Sequence, residues 1–160
     1  MTKGQIMALY MQTTKIEASK TVAEIQSLLG STGQVRAIQV EYGPDGAVEA
    51  LSFVAEVEGC RVPFRLPARV EPVFRALSKQ RAPRNRTAQK YVQQDKEQAV
   101  RVAWRQILRW VQAQIALLDT GMVDISEIFL PYVHTGIGRT IYTDFMKQVE
   151  GGKYLLPERT

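Results

Sequence analysis

"QVRAIQVEYGPDGAVEALSFVAEVEGCRVPFRLP", Gln34 to Pro67, is the stretch whose reading decides the fold. Successive side chains of a strand point to opposite faces, so alternation shows which residues share a face. Ile38, Val40 and Tyr42 share one face of a first strand. Leu51, Phe53, Ala55 and Val57 share one face of a second, and Cys60, Val62, Phe64 and Leu66 one face of a third. The links "GPDG" and "VEGC" are short and contain glycine, which is the chemistry of tight reversals, so the stretch reads as an antiparallel three-stranded meander. Its other face carries Gln39, Glu41, Ser52, Glu56, Arg61 and Arg65 and is expected to meet solvent or a partner.

Upstream, "SKTVAEIQSLLGSTG" has Val22, Ile25, Leu28 and Leu29 at helical spacing, with Gly30 and Gly33 as stops. The helix is expected over about Lys20 to Leu29, opened by a Thr21 and Glu24 capping box or by Ser19 one turn earlier. "ALYMQTTKI" alternates weakly and suggests a short strand. Met1, Met7 and Met11 each offer a start, so residues 1–11 read as an alternative start or a disordered lead-in.

Downstream, "ARVEPVFRALSK" sets Val70, Val73, Phe74 and Leu77 on one helical face, with Pro72 acceptable in the first turn. From about Thr87 to Gly121 a long helix follows. Its Val100, Trp104, Ile107, Leu108, Val111, Ile115 and Leu118 fall in a stripe roughly 100° wide, which predicts burial. Arg101, Arg105 and Arg109 flank that stripe on one side, either extending a basic surface or pairing with Glu24, Glu56 or Glu71. Trp110 lies on the other flank, against the last helix or at an interface. Asp124 with Glu127 caps a short helix. "PYVHTGIG" is a link, and "RTIYTDFMKQVEGG" is a last helix ending at Gly151. The expected class is α+β: helix, three-stranded antiparallel meander, helix, then a long helix and short C-terminal helices packed on one sheet face, as a single domain over 1–160.

Composition bounds the chemistry. A chain of 160 residues with 45% hydrophobic residues suffices for one core. One cysteine excludes an intramolecular disulfide and a cysteine-based metal cluster. No apolar run spans a bilayer and no export signal is visible, so no membrane is expected and the cytoplasm is the expected compartment. Catalysis finds little support. Cys60 alternates into the apolar face, where a thiol stays protonated, and His134 is the sole histidine. Asp119, Asp124 and Glu127 are explained by helix ends rather than by a metal, and "HTGIGRT" lacks the strand and lysine of a phosphate loop. No enzyme activity, cofactor or metal is expected.

The net charge is +5, from 21 basic against 16 acidic residues, and its location matters more than its size. "KQRAPRNRTAQK" carries Lys79, Arg81, Arg84, Arg86 and Lys90 without an acid. The remaining basic residues equal the acidic ones in number, so the whole excess sits between Lys79 and Lys90. Such a segment is either a solvated linker between the sheet unit and the long helix, or an anion footprint. Several arginines in an extended element suit bidentate phosphate contacts.

Helix, three antiparallel strands, helix over Lys20 to Lys79 is an element order similar to that of double-stranded-RNA-binding domains and of the core of single-strand annealing proteins. "ARVEPVFRAL" lacks the lysine-rich opening of the second helix in the former. "TTKI", "KTVAEIQSLL", "FRLP", "VAWRQILRWVQAQ" and "EIFLPY" together resemble small phage- and prophage-encoded proteins. That resemblance implies a context of replication, recombination or counter-defence and supplies no site residues.

The leading expectation is a nucleic-acid-binding accessory protein, with single-stranded DNA favoured and little sequence specificity. It uses Lys79, Arg81, Arg84, Arg86 and Lys90 with help from Arg61, Arg65 and Arg101, and a homo-oligomer is open, since a long helix and an antiparallel sheet suit a ring, a dimer or a monomer equally. The alternative is a protein-binding module whose apolar patch surrounds Trp110 and the C-terminal region.

Overall fold

The computed structural model describes residues 9–80 and 89–156. The order is α1 (Ala18–Ser31), β1 (Val35–Tyr42), β2 (Val48–Val57), β3 (Cys60–Pro67), α2 (Val70–Gln80), α3 (Gln89–Asp119), α4 (Ile125–Phe129), a 3-10 turn (Leu130–Tyr132), β4 (His134–Gly136), β5 (Arg139–Thr140) and α5 (Ile141–Glu150). It is the α+β arrangement that the periodicities imply. The lead-in expected over the first residues and most of the basic segment lie outside the described residues.

The sheet has the order β1-β2-β3 with both pairs antiparallel, in a register that sets Ile38 against Phe53 and Phe53 against Phe64. At the second hairpin Glu58 and Gly59 adopt φ of 48° and 76°. A two-residue turn that matches the strand twist needs two positive φ values, and glycine supplies one of them without steric cost. The register shifts twice: Arg36 is an extra residue near the start of β1, and Glu49 is an extra residue of β2 opposite the end of β1.

The inner face carries the core. Leu51, Phe53, Phe64 and Leu66 are buried against Val22, Ile25 and Leu29 of α1 and Trp104, Leu108 and Val111 of α3. Trp104 is fully buried and its indole N–H donates to the Val48 carbonyl at 3.0 Å, so the largest side chain of the core brings no unpaired donor with it. Phe53 and Phe64 stack at 5.1 Å, and Phe129 of α4 meets Phe53 edge-on at 5.1 Å. Burying an aromatic of this size is worth roughly 1.5–3 kcal/mol by area, so this trio anchors the C-terminal segment to the sheet.

Three expectations need correction. "ALYMQTTKI" forms a turn at residues 10–13, with Met11 at φ 62°, rather than a strand; Gln98 and Gln106 of α3 donate to the carbonyls of Gln12, Thr14 and Tyr10 and satisfy the backbone without a sheet. Thr21 and Glu24 do not form a capping box. The helix begins earlier, Glu17 takes the N-cap position, and Thr21 is buried inside the first turns. Cys60 lies on the inner-face alternation but is exposed, because it is the first residue after the hairpin and falls beyond the helical cover.

After α3 the chain turns at Gly121, φ 76°, where Met122 N–H reaches back to the Leu117 carbonyl. Glu127 accepts from the Asp124 N–H at 3.2 Å and opens α4, as the spacing predicts. The link expected after it is structured instead: Val133 bridges to Phe64 on the free side of β3, and β4 and β5 pair as a small second sheet. Two- and three-residue strands are too short for alternation to reveal.

Candidate functional site

The candidate cations fall into three groups. On the outer sheet face Arg61 is exposed, whereas Arg65 is taken up by Glu41, its Nε lying 3.2 Å from both carboxylate oxygens. Ser52 also donates to Glu41, so the three side chains form one cross-strand cluster. Burial pushes the Glu41 carboxyl up. The hydrogen bonds from Ser52 and Arg65 and the nearby positive charge of Arg65 outweigh it and hold the group below its ordinary value of 4.5. Arg65 is thus a paired residue, not the free cation that the strand pattern suggests.

The β4–β5 hairpin leans over this outer face. Gln39, Glu41, Ser52 and Arg65 on the sheet and His134 and Arg139 on the hairpin line an open groove of about 600 Å³. Thr135 and Arg139 both donate to Asp144 of α5, which ties the hairpin to that helix and lowers the Asp144 carboxyl from its ordinary value. His134 is exposed at the rim.

Along α3 the three flanking arginines have different fates. Arg105 is buried, with Nη1 3.0 Å from Glu24 and 3.3 Å from the Thr21 hydroxyl. Of the acids open to this row by sequence, Glu24 is the one it meets. Arg101 bonds Gln98 and Arg109 bonds Gln112, both within the helix. Arg101 borders a shallow depression with Glu17, Tyr42 and Glu97, in the helical layer, while Arg61 and Arg65 stand on the outer sheet face. These cations do not converge.

Lys79 is exposed in the last turn of α2. Arg81, Arg84 and Arg86 lie outside the described residues, as does the Lys90 side chain. α2 and α3 pack against each other on either side of the segment.

Several other cations sit beside acids. Arg36 pairs with Glu56 at 3.0 Å, Arg75 with Glu71 at 3.4 Å and Arg139 with Asp144 at 2.8 Å. Sequence spacing exposes only the Glu71 and Arg75 pair, four residues apart on one helix. The cross-strand pairs depend on register.

Trp110 is half-buried. It packs edge-on against Phe129 at 5.5 Å and Tyr132 at 6.0 Å and joins the core margin. Besides Tyr10, Tyr42 and Met122, the exposed large apolar side chains among the described residues lie further along the chain: Leu130, Ile137, Tyr142, Phe145, Tyr154, Leu155 and Leu156.

Among the described residues no group of three His, Cys, Asp or Glu side chains could hold a metal ion, and no helix is long and apolar enough to cross a membrane. No family model, no curated protein and no solved structure matches the chain.

Proposed function

We propose that this protein is a non-enzymatic nucleic-acid-binding accessory protein, with single-stranded DNA as the favoured ligand, acting in replication or recombination. The anion footprint is the Lys79 to Lys90 segment, with Arg61 and Arg101 as outlying contacts. One observation carries the reading: in the folded body Arg36, Arg65, Arg75, Arg105 and Arg139 each lie beside a carboxylate, while the segment that holds the whole net charge contains no acid. A run of cations with no acid among them in sequence is what a polyanion recruits, through release of condensed counterions. The outer sheet face has no exposed aromatic platform, so affinity is electrostatic and sequence preference slight.

The test is retention of single- and double-stranded DNA across a salt series. Replacing Arg81, Arg84 and Arg86 with alanine removes up to three phosphate contacts and should lower the slope of log affinity against log salt by about 2 for single strands. Unchanged retention and slope would reject the reading.

A second reading, a protein-binding module, is favoured by the exposed apolar residues from Leu130 to Leu156 rather than by Trp110. It predicts no salt-sensitive DNA binding at all, so the same titration separates the two.

A further inference from the structure

The two edges of the main sheet are treated differently. β3 carries Pro63 and Pro67, which cannot donate to a ladder, and Val133 bridges to Phe64 on that side. β1 carries no proline, and among the described residues no strand pairs with its outer edge. Between the two register shifts Ala37 to Glu41 pair regularly with β2, so the alternate residues of this run whose N–H and C=O point away from β2 present an unpaired row.

The inner face along this edge is also incompletely covered. Leu51 and Phe53 on β2 are 0% and 2% exposed, whereas Ile38 and Val40 on β1 are only half-buried and Tyr42 is 65% exposed. The inner face of β1 is therefore covered only in part, which leaves an apolar strip beside an open ladder.

We infer that β1 is a dimer edge and that its occupant is a second copy of this chain, added antiparallel about a twofold axis through Gln39 to make a continuous six-stranded sheet. The choice of occupant follows from self-complementarity. With Gln39 opposite itself, Ile38 faces the partner's Val40 on the inner side, so each copy covers the other's half-buried strip. On the outer side Ala37 faces the partner's Glu41, a carboxylate already held by Ser52 and Arg65 of its own chain, twice by symmetry. The residue on the axis is neutral, and no like charges meet. An unrelated extended peptide would satisfy the backbone but would have no reason to match the apolar strip on one face and keep like charges apart on the other.

The experiment is light scattering over a concentration series. The wild-type chain should approach twice the 18.0 kDa of one copy. Gln39 is exposed, so Gln39→Lys and Gln39→Glu leave the monomer folded, which circular dichroism checks. Each should weaken self-association by about fivefold, since each places like charges directly opposite. Mixing the two variants should restore a tight mixed dimer. A wild-type chain that stays monomeric overturns the inference. So does association by both variants as tight as wild type, which would put the interface elsewhere, for example on the exposed C-terminal apolar residues. Neither outcome bears on DNA retention, which the proposed function assigns to the Lys79 to Lys90 segment and not to β1.

Discussion

Glu41 shows how one side chain changes meaning once its neighbours are known. Alternation alone makes it a solvent-facing acid on β1. Register across three strands brings Ser52 from β2 and Arg65 from β3 to its two oxygens, with His134 close enough to act by charge. Because the folded pKa is depressed, the stabilisation is present above the unfolded value and is lost as pH falls through the folded one. Thermal unfolding of wild type and Glu41→Gln should therefore differ at neutral pH and converge below the ordinary 4.5. A gap that persists at low pH would mean that the carboxylate charge contributes nothing. Cys60 makes the complementary point. Its face follows from parity, but its exposure depends on where the helices end, and no residue near it encodes that.

At the scale of elements, α1 and α3 are joined by a contact that sequence could only leave as one option among three. Glu24 and Thr21 resemble a capping pair because the T-x-x-E spacing also places both on one helical face, and that face meets Arg105. The Arg105 side chain is 9% exposed and Glu24 38%, so the two are not equivalent. Removing the acid strands a buried cation, whereas replacing the arginine with an unbranched apolar residue also removes a buried Nε that lacks a partner. Glu24→Ala should cost about 1–3 kcal/mol, and Arg105→Met less than about 1 kcal/mol, read from denaturant midpoints. The reverse order would show that the guanidinium itself is the stabilising member. The long helix was legible because a stripe repeated over many turns is a strong signal. The β4–β5 hairpin was not, since two or three residues per strand carry no period and its position rests on Val133 meeting Phe64.

For the whole molecule the organising quantity is charge and where it is cancelled. Surface pairs such as Arg36 with Glu56 and Arg139 with Asp144 are each worth little to stability, at most about 1 kcal/mol. Their consequence is local neutrality across the outer face. Arg36→Ala combined with Arg139→Ala should leave DNA retention within about twofold of wild type, in contrast to the basic-segment triple variant. A comparable loss from both would move the footprint onto the sheet and the hairpin. The sheet edges obey the same logic of satisfaction, with β3 closed by prolines and Val133 and β1 left open.

By itself the sequence determined the α+β class, the three-stranded meander, the α2 and α3 faces, the α4 cap and the confinement of net charge to Lys79–Lys90. Each of these rests on local periodicity, turn chemistry or counting, which act over a few residues. Only the tertiary structure decided that Arg65 and Arg105 are paired, that Trp110 packs on Phe129, that Cys60 is exposed and that no described strand pairs with the outer edge of β1. Those depend on strand register and on where one layer stops covering another, and both are set by contacts between residues far apart in the chain.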